Sequence, residues 1–282
     1  MKRSPGHRTL LRAMRALLAM AGGLVAIVAI RLADRVGRPP RWTPRVVRWW
    51  HQRVCRALDL DIHVTGKPVP NALLVANHIS WLDVPVLGAQ GEIGFLSKAE
   101  VRQWPVIGWM AAVAGTLFIA RGGNETARIT TQIQEQIQAG RPVVVFPEGT
   151  TSDGTELLRF HPRLFAIGQE SGTLVQPVAL RYGPPAAPDP IAPFIGDESL
   201  AAHLGRVLRH TGLSVTVHFL PPIETDQVDR RQVAERARTA IAWALGLDAA
   251  VKPRPRRPAQ PSGPTAVPPP LGPISHQKAV LE

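Results

Sequence analysis

The chain has 282 residues, of which 45% are hydrophobic, enough for a large core and too many for wholesale disorder. Residues 1–60 hold thirteen Lys and Arg but two acids, whereas 61–251 holds slightly more acids than bases. A basic end on a nearly neutral body indicates a local anionic partner and argues against a protein that is basic everywhere. The single cysteine, Cys55, excludes an intramolecular disulfide and is consistent with a reducing cytoplasm.

The first notable segment is Ala16–Ile30, which contains no charged residue. Nucleic-acid-binding arms do not carry such an apolar stretch, so anionic lipid is the favoured partner. As a helix the run would span roughly 22 Å, less than the roughly 30 Å hydrocarbon core of a bilayer. It ends at Arg31 without a small-x-small cleavage site, which argues against a signal peptide. We expect it to dip into the cytoplasmic leaflet, bend at Gly22-Gly23 and return through Arg38–Arg41.

The next segment, Pro44–Leu58, is predicted to be an amphipathic helix. Its arginines oppose an apolar arc formed by Val46, Val47, Trp50, Val54, Ala57 and Leu58. Arginines and tryptophans suit a helix lying in the membrane interface. An ordinary helix packed on the surface of the domain is the alternative.

From residue 61 onward, short β-rich runs alternate with helical stretches. This pattern predicts an α/β domain with a mixed, mostly parallel sheet flanked by helices. The predicted strands are Asp61–Thr65, Ala72–Ala76, Ile93–Ser97, Thr116–Ala120, Pro142–Pro147, Leu174–Leu180 and Ser214–Leu220. The predicted helices are Trp81–Gly88, Glu125–Ala139, Ala201–His210 and Gln227–Leu247.

These patterns divide the chain into three parts. Residues 1–58 are expected to be membrane-associated helices, 59–250 the α/β domain, and 251–282 a disordered tail. The tail is predicted from its nine prolines, which prevent regular hydrogen-bonded structure.

The first block of candidate functional residues is Asn77–Asp83, directly after a predicted strand. His78 then lies at the carboxyl end of that strand, where α/β sheets place their sites. His78 and Asp83 can meet only if the backbone turns between them. A neutral His can take a proton from an alcohol, and a neighbouring carboxylate fixes its tautomer. With nine His residues in the chain, an incidental His and a capping Asp remain the alternative on this block alone.

Three further blocks also follow or form strands. The strand after Gly115 delivers Arg121 at its exit, suited to binding phosphate or carboxylate, although a surface Arg is equally compatible. Phe146–Gly154 combines Gly149 with hydroxyl and amide donors, which suits an anionic head group or forms a plain turn. Pro177 interrupts the last strand and indicates a sheet edge or a bulge.

Together and in this order, the four blocks resemble the glycerolipid acyltransferase family, whose best-known members acylate lysophosphatidic acid. The matching residues are Asn77, His78, Ser80 and Asp83; Gly115, Phe118, Ile119 and Arg121; Phe146–Thr150 and Ser152; and Val175, Pro177 and Val178. The resemblance runs from about Leu58 to Leu180, with weaker likeness to about Leu247, and extends to Lys98.

The resemblance implies direct acyl transfer from acyl-CoA or acyl-carrier protein to the hydroxyl of a lysolipid. It makes His78 the general base and Asp83 its partner. Residues implied to bind substrate are Asn77, Lys98, Arg121, Glu148, Gly149, Thr150 and Thr151. No metal or redox cofactor is expected, and the enzyme is expected on the cytoplasmic face of the inner membrane.

One position departs from the family pattern. Lysophosphatidate enzymes usually carry Arg where this chain has Thr151, a position associated with the substrate phosphate. Arg159 and Arg163 could compensate, so we expect 1-acylglycerol-3-phosphate as acceptor. The sequence F-P-E-G-T-T-S-D-G also resembles a bacterial subgroup that includes lyso-ornithine-lipid acyltransferases, which is the alternative. A non-enzymatic membrane-binding protein would not explain the site-like blocks, and a serine hydrolase would need the absent G-x-S-x-G motif.

Overall fold

A computed structural model describes residues 5–36, 41–120, 126–166, 173–210 and 212–248. Its sheet has seven strands in the order β1-β7-β6-β2-β5-β3-β4. These are β1 Leu60–Thr65, β2 Ala72–Ala76, β3 Gly94–Lys98, β4 Leu117–Ile119, β5 Val143–Val145, β6 Leu174–Tyr182 and β7 Leu213–Phe219. Each strand coincides with a predicted one, apart from shifts of up to two residues at the ends. The runs were detectable because most of the central strand residues are buried.

The helices are α1 Pro5–Asp34, α2 Thr43–Ala57, α3 Asp83–Gly88, α4 Ile107–Val113, α5 Thr126–Gln138, α6 Leu200–Arg209 and α7 Arg230–Leu245. Two 3₁₀ helices cover Ala99–Gln103 and Pro162–Phe165. The sequence did not predict α4, because seven residues are too few to establish a helical period.

Strand direction explains where a site can form. β6, β2, β5, β3 and β4 pair in parallel, so their carboxyl ends meet at one edge of the sheet. β6 and β7 form the antiparallel pair that makes the sheet mixed. Successive residues of β2 enter two different apolar cores, with Leu74 on one face and Leu73 and Val75 on the other. The predicted mostly parallel sheet with helices on both faces is therefore confirmed.

Strand β6, which contains Pro177, is not an edge strand. Of the two predictions made for Pro177, a sheet edge or a bulge, the sheet edge is therefore wrong. The strand lies between β7 and β2. Its pairing with the chain after β7 shifts by one residue between Val178↔Phe219 and Val175↔Ile223. Pro177 lies at this irregularity, where the ladder can tolerate a residue without an N–H donor.

Helix α1 differs from the predicted dipping segment. It runs without interruption through both glycines and is about 45 Å long at 1.5 Å per residue. By length and composition, Gly6–Asp34 forms the single helix among the described residues that could cross a membrane. Gly23 serves close packing, because a Cβ there would lie 2.4 Å from Trp50 Nε1. The return at Arg38–Arg41 lies largely outside the described residues, as do Arg121 and the 251–282 tail.

The apolar face of α2 is used mainly inside the protein. His51, Cys55 and Ala57 are buried, and Trp50 Nε1 donates to the Ala19 carbonyl oxygen of α1 at 3.0 Å. The helix thus packs on the body, while Trp49 and the arginines Arg45, Arg48, Arg53 and Arg56 remain exposed. Contact of this exposed side with the membrane interface stays a prediction.

Candidate active site

The corner after β2 brings His78 and Asp83 together. His78 Nδ1 lies 2.8 Å from Asp83 Oδ2, and Asp83, the first residue of α3, is fully buried. The same carboxylate oxygen accepts the main-chain N–H groups of Ile79 at 2.8 Å and Ser80 at 3.0 Å. The turn that the five-residue spacing required is present, and it wraps around the carboxylate.

The other oxygen of Asp83 accepts a hydrogen bond that the sequence did not reveal. Tyr182, the last residue of β6, donates its hydroxyl to Asp83 Oδ1 at 2.8 Å. Burial and the Asp83 charge raise the pKa of Tyr182 well above its ordinary value, so the hydroxyl stays protonated as a donor. Both oxygens of Asp83 are therefore held before any substrate binds.

His78 has one face packed and one nitrogen left for chemistry. Its ring stacks on Phe146, with centroids 4.0 Å apart and planes 17° from parallel. Because Nδ1 faces Asp83, Nε2 is the nitrogen that can exchange a proton with another molecule. The His78 side chain is 20% exposed, so this nitrogen can be reached from outside the core.

Asn77 lies beside the pair, but its amide is committed to the fold. It is 1% exposed. Its Nδ2 donates to the Leu180 carbonyl oxygen at 2.9 Å, and its Oδ1 accepts from the Leu180 N–H at 2.8 Å. Asn77, expected to bind substrate, instead ties the end of β2 to β6.

Glu148 lies behind His78, on the loop after β5. Oε1 accepts the His78 N–H at 2.9 Å and Oε2 accepts the Leu158 N–H at 3.1 Å. Burial raises the pKa of Glu148 to about 8, while these two N–H groups and Arg238 act in the opposite direction. Its side chain is 1% exposed and points inward, so it braces the His78 loop where the sequence suggested a pocket wall.

The rest of this loop is bonded to the segment that carries His78. Gly149 adopts φ 66°, a left-handed conformation that favours glycine. Ser152 donates its N–H to the His78 carbonyl oxygen at 2.8 Å. Thr151 donates its hydroxyl to the Phe194 carbonyl oxygen, and Thr150 is partly exposed. The hydroxyl-rich block is thus joined to the His78 loop, and Thr151 is tied to the chain after β6.

The predicted cationic residues differ in how the structure places them. Lys98 ends β3 and is partly buried at the carboxyl edge that carries His78. Arg121 lies outside the described residues, although Ala120 before it follows β4 at the same edge. Arg159 and Arg163, the candidates to replace the missing Arg, are both exposed.

Comparisons with known proteins agree with this architecture. A family model described as Acyltransferase matches residues 61–181. A lyso-ornithine lipid O-acyltransferase of Pseudomonas aeruginosa is 46% identical over 243 residues, covering 84% of this chain and 93% of that protein. A 1-acyl-sn-glycerol-3-phosphate acyltransferase of Neisseria meningitidis is 33% identical over 202 residues, covering 70% of this chain and 79% of that protein.

The fold also has a solved counterpart. The crystal structure of the 1-acyl-sn-glycerophosphate acyltransferase of Thermotoga maritima covers 83% of this chain and 96% of its own, with a TM-score of 0.56 and 20% identity. This likeness concerns the fold.

Proposed function

Since this chain belongs to the acyltransferase family and is an acyltransferase of lysolipids, we propose that its acceptor is lyso-ornithine lipid and that His78 and Asp83 perform the transfer. The observation that carries the chemistry is the 2.8 Å contact between His78 Nδ1 and the buried Asp83 carboxylate. It leaves the opposite nitrogen of a partly exposed ring to act on a hydroxyl.

The transfer proceeds without an acyl-enzyme. His78 Nε2 takes the proton of the acceptor hydroxyl as the oxygen attacks the carbonyl carbon of an acyl thioester, either acyl-CoA or acyl-carrier protein. Asp83 stabilises the imidazolium that forms. The tetrahedral intermediate collapses to the new ester, and the departing thiolate recovers a proton from His78.

The proposed acceptor differs from the one that the sequence motifs favoured. The motifs predicted lysophosphatidate as the acceptor, with lyso-ornithine lipid as the alternative. The Pseudomonas relative, named for lyso-ornithine lipid, is 46% identical, against 33% for the Neisseria relative named for the glycerol phosphate. Thr151 agrees with this order, because an uncharged hydroxyl bonded to Phe194 replaces the Arg associated with a phosphate.

We assign head-group binding to residues at the carboxyl edge of the sheet. Lys98 ends β3, and Arg121 follows β4, the parallel neighbour of β3, along the chain. A cation there would pair with the carboxylate of an ornithine head group. Gly149 and Thr150, on the loop after β5, complete the acceptor side of this proposal.

The acyl thioester and the lysolipid would meet at the cytoplasmic face of the inner membrane. Helix α1 packs along the body at Arg12, Ala19 and Gly23, so its axis follows the protein surface. We place α1 along the cytoplasmic leaflet with both ends on that side. A His7→Cys probe tests this, since burial raises the pKa of Cys55 to about 12 and keeps that thiol unreactive. Labelling of residue 7 by an impermeant reagent from the periplasmic side would contradict the placement.

The acceptor is tested with the purified full chain, with acyl-CoA and acyl-carrier protein in separate reactions. Lyso-ornithine lipid and lysophosphatidate compete in one mixture, and the ratio of their products is measured. We expect ornithine lipid to dominate, and Thr151→Arg to move the ratio toward phosphatidate. Thr151→Ser is the matched control, because it keeps the hydroxyl bonded to Phe194. Dominant phosphatidate from the unaltered enzyme would contradict the proposed acceptor and leave the His78 chemistry intact.

A further inference from the structure

A groove between α1 and α2 has no part in the chemistry described above. It has a volume of about 400 Å³ and is lined by Arg15, Leu18, Ala19, Gly22, Trp49, Arg53, Arg56 and Ala57. We propose that it binds one anionic phospholipid of the bilayer, with the phosphate among the arginines and an acyl chain along the apolar floor.

Three arginines give the groove a positive charge. Arg15, Arg53 and Arg56 approach the groove from two helices and are all exposed. In the described part of the chain, their guanidinium groups form no hydrogen bond or ion pair. Arg53 instead lies over the Trp49 ring, 5.1 Å from its centroid. Three exposed guanidinium groups around one groove are donors for a phosphate.

The floor and its surroundings indicate that the phosphate belongs to a lipid. Leu18, Ala19, Gly22 and Ala57 make the groove floor apolar. Leu18 also belongs to an exposed apolar stripe of α1 that comprises Leu10, Met14, Leu17, Leu18, Val25, Val28 and Leu32. At 100° per residue these side chains fall within an arc of about 100°. An acyl chain in the groove would therefore continue onto a surface already suited to lipid.

Gly22 supplies a variant that alters the groove without altering charge. A Cβ at Gly22 would meet Trp49 at 3.8 Å, an ordinary contact, so an added side chain can start there without displacing a neighbour. Leucine favours a helix more than glycine does. Gly22→Leu should fill the floor while preserving the fold, and Gly22→Ala is the matched control with too little volume to block it.

The experiment measures flotation of the full chain with phosphatidylcholine vesicles, with and without phosphatidylglycerol. Phosphatidylglycerol is neither acceptor nor product of the proposed reaction, so the result is independent of that proposal. The groove variant Arg15→Gln/Arg53→Gln/Arg56→Gln is compared with Arg8→Gln/Arg31→Gln/Arg35→Gln. The second variant removes the same charge from three exposed positions outside the groove, two in α1 and one directly after it. Thermal unfolding checks that each variant is folded.

We expect the groove variant to lose about tenfold more affinity for phosphatidylglycerol vesicles than the control variant, beyond the general attraction of three charges to the membrane. Gly22→Leu should lose the preference with every charge intact, while Gly22→Ala keeps it. Equal losses in the two charge variants, or an unaffected Gly22→Leu, would overturn the site. So would a groove variant with unchanged lipid binding and a raised KM for acyl-carrier protein, since the occupant would then be the acidic donor protein.

Discussion

The carboxyl edge of the sheet and the N-terminal helices use polar groups in opposite ways. At the edge, Asp83 and Glu148 are buried, and every carboxylate oxygen accepts a hydrogen bond. In the helices, Arg15, Arg53 and Arg56 are exposed around an apolar floor. Proton transfer depends on groups fixed before substrate arrives, whereas lipid contact tolerates groups that adjust to a fluid surface. Single substitutions should therefore cost far more at the edge than in the helices.

Arg12 is the place where the two regions meet. It is a helix arginine that is 6% exposed, and its guanidinium donates to the carbonyl oxygens of Leu58, Leu208 and His210. Like the carboxylates at the carboxyl edge, Arg12 is a buried charged group whose hydrogen bonds go to main-chain groups. These bonds attach α1 to the α/β domain.

The largest effect is expected at the edge itself. His78→Ala should lower kcat by about 10²–10⁴-fold, or about 3–5 kcal/mol in the barrier, because general-base catalysis is lost. His63→Ala is the matched control, since His63 forms a second His–Asp contact, 3.1 Å from Asp61, at an exposed position. Steady-state assays with saturating substrates measure both. Near-normal turnover of His78→Ala would contradict the mechanism.

Glu148 offers a test by pH. Because the native pKa of about 8 lies above the ordinary 4.5, the folded state holds a proton that the unfolded state releases between these values. The stability that this proton contributes is complete below about pH 4.5 and lost as the pH rises through about 8.

Glu148→Gln removes this titration, so the stability of the unaltered chain relative to the variant should fall by a few kcal/mol over that range. Denaturant unfolding at a series of pH values measures the difference. Glu92→Gln, at an exposed carboxylate paired with Arg45, is the matched control for replacing a glutamate with its amide. A flat difference for Glu148→Gln would show that the carboxyl is ionised throughout.

Arg12 tests the junction between the two regions. Arg12→Met keeps an apolar chain in place of the aliphatic stem but leaves three carbonyl oxygens without their donor, which should cost about 2 kcal/mol. Hydrogen exchange should rise along α1 and change little in β2 and β5. Arg8→Met, at an exposed position of the same helix, is the control. Unchanged exchange in α1 would mean that the helix is held by its apolar contacts alone.

The sequence could predict most of the fold because the local signal was strong. All five residues of β2 are buried, so an apolar run ending before His78 identified both a strand and a site at its end. The same reasoning located Glu148 after β5. It assigned Glu148 to a pocket because a motif gives position but no side-chain direction.

What could not be predicted depends on contacts between distant parts of the chain. Tyr182 lies 99 residues from Asp83, and a tyrosine ending an apolar strand carries no local sign of its partner. Asn77 pairs with Leu180, 103 residues away, so its bracing role was equally invisible. In the sequence, nothing distinguished Arg12 from the other twelve N-terminal bases, because its partners include residues nearly 200 positions away.

The smallest expected effect concerns Tyr182, which acts on His78 only through Asp83. Tyr182→Phe removes one hydroxyl from a buried site and preserves the ring, so the fold should persist. Losing a hydrogen bond to a carboxylate should lower kcat/KM about tenfold, or about 1.4 kcal/mol. The reduction is far smaller than for His78→Ala because Asp83 keeps the N–H groups of Ile79 and Ser80.

The separate effects on kcat and KM distinguish a positioning role of Tyr182 from simple packing. The Tyr182 hydroxyl holds Asp83, and Asp83 in turn holds His78. Tyr182→Phe should therefore lower kcat and leave the KM values of both substrates unchanged. Tyr182→Leu, which also removes the ring, should add a loss of thermal stability to the same fall in kcat. A Tyr182→Phe enzyme with an unchanged kcat and a lower thermal stability would indicate that the hydroxyl serves packing alone.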